Sequence, residues 1–142
     1  MSIHIIKLVV GIDSLEAFAE LQKRETVDYN GTPAVPCWTR YAPKRADEIL
    51  STGGSIYRVI KNRIVCRHKI LGFEMTEVDG KKQCMIMQDA RMIQTLSKPR
   101  RPFQGWRYLE PAKAPEDRGV YSAGDDDIPA DIEDGLRNAG LL

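Results

Sequence analysis

Apolar and polar residues along this chain change period several times, and each change marks an element. Residues 3–10, Ile-His-Ile-Ile-Lys-Leu-Val-Val, are rich in β-branched side chains and too short for a typical helix, so they read as a strand that Gly11 ends. Asp13 stands three before Glu16 as an N-cap, and Leu15, Phe18, Ala19 and Leu21 give one apolar face to an amphipathic helix over about 14–25. Asn30, Gly31, Pro33 and Pro36 forbid regular structure from 29 to 36, after which Trp38 and Thr39 emerge in a short strand. Pro43 suits the first turn of a second helix over 43–51, and Gly53 and Gly54 stop it.

The following half alternates as strands do. Residues 55–61 set Ile56, Arg58 and Ile60 against Tyr57, Val59 and Lys61, and 63–70 continue after Asn62, which predicts a hairpin there. Residues 73–78 and 82–87 flank Asp79-Gly80, the clearest short-range hairpin signal. Further strands are expected near 91–96 and 105–109, separated by Pro99 and Pro102. Beyond Leu109, Pro and Gly recur among acidic residues, including Asp125, Asp126 and Asp127, and only Ile132 and Leu136 suggest a short helix over 129–139. The fold class expected is α+β: one domain over 1–112 built on a small, mostly antiparallel β pseudobarrel with flanking helices, then an acidic, partly disordered tail over 113–142.

With 142 residues and 42% apolar side chains, the chain can bury one sizeable core. Its longest apolar run, 5–12, is broken by Lys7 and falls far below the roughly 20 residues that span a bilayer. The N-terminus has no secretory pattern, so a cytoplasmic, non-membrane protein is expected. Cys37, Cys66 and Cys84 contain no Cys-x-x-Cys pair, and only Cys66 and His68 lie close together; they read as reduced thiols, with no metal or cofactor assigned.

Charge changes the picture most. The net +1 hides a stretch, 40–107, with 15 Lys/Arg against 6 Asp/Glu, while 108–142 hold 3 against 9. Tyr41, Tyr57, Phe73, Phe103, Trp106 and Tyr108 are interleaved with those cations, as an anionic, stackable partner such as nucleic acid requires. Nucleophile signatures are missing: there is no Gly-x-Ser-x-Gly, and the only histidines are His4 and His68. His68 sits between Arg67 and Lys69, which oppose its protonation without orienting it as a base. Thr52-Gly-Gly-Ser55 follows a helix and enters a strand, the reverse of a phosphate loop.

Two basic runs carry binding chemistry. In Lys98-Pro-Arg-Arg-Pro-Phe-Gln-Gly-Trp-Arg-Tyr108 the prolines stiffen the backbone that presents Arg100 and Arg101, and guanidinium forks suit phosphate. Trp106 is either a stacking platform or a core plug, and both readings stand. In Trp38-Thr-Arg-Tyr-Ala-Pro-Lys-Arg45, cations at a helix start oppose the helix dipole, which points to function or to a counter-charge from the tail.

These strings also carry a resemblance. Gly53-Gly-Ser-Ile-Tyr-Arg-Val-Ile-Lys61, with Arg67 and Ile70 after it, and Pro99-Arg-Arg-Pro-Phe-Gln-Gly-Trp-Arg-Tyr-Leu109 resemble a bacterial family of unknown function, domain of unknown function 1489, over most of 1–112. The Thr-Arg-x-x-Pro-x-Arg helix start before a strand-rich half is similar in pattern to the PUA-like superfamily, with its ASCH and EVE groups. That likeness implies a pseudobarrel whose cleft binds RNA or a modified nucleobase; some ASCH proteins are amidohydrolases using Lys, Thr and Glu, types that Thr39, Lys44 and Glu48 supply here. The leading expectation is an RNA- or nucleotide-binding module with Arg40, Arg45, Arg58, Arg67, Arg100 and Arg101 on phosphate and Trp38 or Trp106 for stacking. Its rivals are the amidohydrolase, carried by Thr39, Lys44 and Glu48, and an interaction protein that self-associates through its acidic tail.

Overall fold

The computed structural model describes residues 2–121. Along them run β1 (His4–Leu8), α1 (Leu15–Glu25), β2 (Val27–Tyr29), β3 (Thr32–Thr39), α2 (Ala46–Ser51), β4 (Ser55–Ile60), β5 (Arg63–Val78), β6 (Lys81–Asp89), β7 (Ile93–Pro99), β8 (Trp106–Leu109) and β9 (Asp117–Val120). The cap of α1 is Ser14 rather than Asp13: Ser14 has extended backbone, and its Oγ accepts the Ala17 N–H at 3.1 Å. Pro43 stands ahead of α2, in a turn closed by the Ala46 N–H on its carbonyl at 3.2 Å. Gly53 leaves that helix at φ +72°, while Gly54 answers a different need, since a Cβ there would stand 2.0 Å from the Ile3 carbonyl oxygen.

Two segments depart from expectation. Residues 29–36 belong to a strand pair, because Asn30 and Gly31 both take positive φ and close a two-residue turn between β2 and β3. Pro36 is tolerated because β2 pairs β3 only over Thr32, Pro33 and Ala34, so the proline lies past its reach. Residues 63–78 form one strand where two were expected: Gly72 does not end β5 but marks a register shift between Ile70 and Gly72. The first part of β5 pairs β4 and β7; the part beyond the shift pairs β6. A bulge of this kind bends a strand, so β5 serves two layers.

The result is an α+β fold dominated by one mixed sheet, ordered β2-β3-β6-β5-β4-β1-β8, with β7 joined to β5 and β9 to β7. β1 and β4 run parallel; the other pairs are antiparallel. The expected small barrel does not close: β7 turns onto the first half of β5, the path branches, and β2 and β8 remain as ends. β9 brings residues 117–120 into the sheet, whereas the helix expected over 129–139 and the aspartates at 125–127 lie outside the described residues. No helix among the described residues is long and apolar enough to cross a membrane.

Strand alternation divides the core. Ile5, Ile49, Ile56, Ile70, Cys84 and Ile86 fill one cluster joining the layers, and Ile6, Tyr57, Val59, Ile64 and Leu109 fill another on the opposite face of β1 and β4. α1 lays Leu15 and Phe18 on Ile60, Cys66 and Met92. Each isoleucine fully removed from water contributes about 1.5–3 kcal/mol.

Polar groups are sealed in under α1. Arg58 is 6% exposed and lies over the Phe18 ring at 5.1 Å. It donates to the carbonyls of Lys7 and Leu8 at 3.2 and 3.1 Å and to Gln88 Oε1 at 3.4 Å. His68 is fully buried and its Nδ1 meets the Asp89 carbonyl at 2.8 Å, a contact only an N–H can make, so Nε2 is left as a lone pair with no partner among the described residues. Burial holds its pKa down to about 4, and Arg58 and Arg67 push the same way. Cys37, Cys66 and Cys84 are free and buried, and desolvation pushes the Cys66 thiol up to about 12.

Candidate nucleic-acid interface

Among the described residues β8 is an end strand of the sheet, paired only with β1: Lys7 stands opposite Trp106, Ile6 opposite Arg107, Ile5 opposite Tyr108 and His4 opposite Leu109. Period-2 alternation therefore sends Trp106 and Tyr108 to one face and Arg107 and Leu109 to the other. On the first face Trp106 is half-buried against the Ile5 cluster, and its Nε1–H donates to the Tyr41 carbonyl at 3.2 Å. Tyr108 meets it edge-on with centroids 5.0 Å apart. The Tyr108 hydroxyl accepts the Arg45 backbone N–H at 3.2 Å, and the Arg45 guanidinium lies 5.5 Å over the ring. Tyr41 is exposed beside them. Part of the Trp106 ring thus plugs the core and part stays open.

On the other face Phe103 packs against the Ile6 cluster and carries two cations, with the guanidinium carbons of Arg100 and Arg107 each 5.0 Å from its centroid. The Arg100 backbone N–H is tied to the Asn62 carbonyl at 2.8 Å, which fixes this run to the turn between β4 and β5. There a cleft of about 400 Å³ is lined by Asn62, Pro99, Arg100, Arg101 and Pro102. No carboxylate of the described residues pairs with Arg100, Arg101 or Arg107. A guanidinium stacked on a ring uses its face and keeps its N–H edge for a bidentate acceptor.

The remaining candidates scatter. Arg58 belongs to the interior, its donors spent on carbonyls of the chain. Arg67 gives Nε and Nη2 to Asp117 at 2.8 and 2.7 Å and Nη1 to Ser55 Oγ at 2.8 Å, and the Asp117 bond raises its pKa. Arg40 is exposed in the loop after β3. Trp38 is exposed too, but it points away from Cys37 and shares a cross-strand row with Met85 and Glu74, on the outer surface of the β3-β6-β5 layer. Glu48 is bound to Arg45, and no hydrogen bond among the described residues joins Thr39, Lys44 and Glu48. The structure thus gathers Arg45 and Trp106 on one face of β8 and Arg100 and Arg101 beside the other.

Sequence reasoning missed Arg107, Phe103 and Tyr108 as site members. Their signal was present in the alternation of 106–109, which places Arg107 on the side of Leu109. It had no signal for Asp117 on Arg67, a pair 50 residues apart in the chain.

No curated protein and no solved structure matches the chain. A family described as a protein of unknown function (DUF1489) matches residues 5–142, and the chain belongs to that family.

Proposed function

We propose that the protein is an RNA- or nucleotide-binding module whose contact surface is β8 and the run before it. The observation that supports this is the set of cation–ring stacks on the two faces of β8, Arg45 over Tyr108 and Arg100 and Arg107 over Phe103. The ring contact leaves the N–H groups of Arg100 and Arg107 for phosphate, whereas Arg45 turns its Nε and Nη2 to Glu48, and the partly open Trp106 and exposed Tyr41 and Tyr108 offer π-faces to unpaired bases. The same reading takes the fold as an opened relative of the PUA-like pseudobarrels, with its ligand surface at the open end rather than in a cleft.

Titration of labelled single-stranded RNA at several salt concentrations tests it. The logarithm of affinity should fall with log salt at about 0.7 per phosphate contacted, and replacing Arg100, Arg101 and Arg107 together by alanine should flatten the slope by about 2. Absence of binding at low salt defeats the proposal.

A further inference from the structure

On the face of the sheet opposite α1, residues after β8 roof a cavity of about 320 Å³ lined by His4, Ser55, Tyr57, Arg67, Glu116 and Asp117 among others. It shares no lining residue with the arginine cleft at Asn62. Its buried wall is made of donors. His4 is 9% exposed, and its Nδ1 accepts the Ser55 backbone N–H at 2.9 Å, so the neutral ring carries its hydrogen on Nε2, which no described residue takes. Tyr57 is 4% exposed, meets the His4 ring edge-on at 5.1 Å, and its hydroxyl bonds to no described residue. Arg67 is held by the fully buried Ser55 hydroxyl at 2.8 Å and extends its fork to Asp117. These donors line the cavity, and the carboxylate that enters it, from the covering strand β9, takes only the Arg67 fork.

We propose that this cavity is a receptor for a compact oxyanion, a phosphate monoester or a carboxylate, and that Asp117 is an internal stand-in which the ligand displaces from Arg67. An oxyanion accepts from the Arg67 fork, from His4 Nε2–H and from the Tyr57 hydroxyl together. The exchange trades one anion for another, so the guanidinium is never stranded. Asp117 is free to leave, because its side chain is 42% exposed and β9 is exposed along its whole length, and its two-pronged bond to Arg67 is what the entering anion must outcompete. A second cavity of about 350 Å³ shares Gly53 and Arg67 with the first and is lined also by Lys69, Arg91 and Asp89, and its cations favour the approach of an anion. The volume lies at the lower end of the roughly 300–1,000 Å³ of small-molecule sites, which suits a metabolite-sized group and not a polymer. The inference does not depend on RNA binding.

The test titrates inorganic phosphate and, separately, acetate into the full chain, with ionic strength held constant by chloride and the His4 ring resonances followed by NMR. A saturable shift is expected, tightened at least about 10-fold for one of the two anions by Asp117→Asn; the anion bound at lower concentration identifies the class. Adding Arg67→Gln to Asp117→Asn should abolish saturation. Tyr57→Phe in the same background keeps the ring and should weaken binding about 3- to 10-fold, and it decides the matter should the Arg67 variant not fold. The proposal is overturned if neither anion saturates with Asp117→Asn, or if the response survives loss of Arg67 or is unchanged by Tyr57→Phe. Loss of RNA binding in the Arg100 variants leaves this outcome untouched.

Discussion

Arg58 and the pair Arg100 and Arg107 do the same thing in opposite places. Each guanidinium lies over a phenylalanine, Phe18 at 5.1 Å for Arg58 and Phe103 at 5.0 Å for the other two. Under α1 the donors of Arg58 are spent on the carbonyls that end β1 and on Gln88, and the cation is closed in. Beside β8 the ring contact is the same but the N–H edges reach no carboxylate of the described residues. Arginine on an aromatic ring is therefore not by itself a binding signature. What separates structure from function here is where the edge of the guanidinium points.

If Arg58 is structural, removing it takes their donor from the part-buried Lys7 and Leu8 carbonyls and from the buried Gln88 Oε1. Arg58→Met should cost roughly 3–5 kcal/mol in urea unfolding, since each orphaned acceptor costs about 1–3 kcal/mol. A loss below about 1 kcal/mol would erase the contrast between the two regions.

The interior also sets a pH dependence. His68 has a folded pKa of about 4 against 6.5 unfolded, so the unfolded chain binds the extra proton. Its contribution is fully present above pH 6.5 and is lost as pH falls towards 4, in total roughly 3 kcal/mol. His4, also lowered by burial and by Arg67, adds in the same direction. Carboxylates titrate near the lower end of this window, so the measurement is a difference: stability against pH for the wild type minus that for His68→Gln. A difference that stays flat between pH 6.5 and 4 would show that His68 is solvated in the folded protein.

Trp106 tests the boundary between the regions. Its ring is half-buried on the Ile5 cluster and its Nε1–H reaches Tyr41, so Trp106→Ala should cost roughly 1–3 kcal/mol, less than a fully buried tryptophan, while also weakening RNA binding. Stability lost with RNA affinity unchanged would assign the ring wholly to the core.

How much of this was readable beforehand depended on range. Local chemistry was legible: Asp79 and Gly80 take positive φ in the predicted hairpin turn, Gly53 ends α2, and a strand follows at Ser55–Ile60, though the expected alternation is not kept, since every residue of it is buried, its register shifts between Arg58 and Val59, and Lys61 falls in the turn. Boundaries set by neighbours were not. Gly72 looks like a strand break, yet β5 runs through it because β6 continues the pairing that β7 leaves. Nothing local distinguishes Arg58 from Arg100, since burial of Arg58 requires α1 to fold over β4. The parallel pairing of β1 with β4 places His4 against Ser55, 51 residues away, so the oxyanion cavity had no signature in the linear chain.

The smallest effect expected is the sharpest check on the comparison. Arg100→Ala with Arg107→Ala removes two cations from Phe103 but strands no buried acceptor, because neither side chain donates to one among the described residues. Exposed cation–ring contacts contribute about 0.5–1 kcal/mol each, and the alanines relieve some mutual repulsion between the two charges, so the double variant should lose less than about 1 kcal/mol in urea unfolding. The ring beneath should become more solvent-exposed without the fold changing, which far-UV circular dichroism of both proteins would register as identical spectra. A loss above about 2 kcal/mol would mean that these arginines clamp the 99–107 run onto the sheet as Arg58 clamps the end of β1, and the outer region would then have to be read as structure.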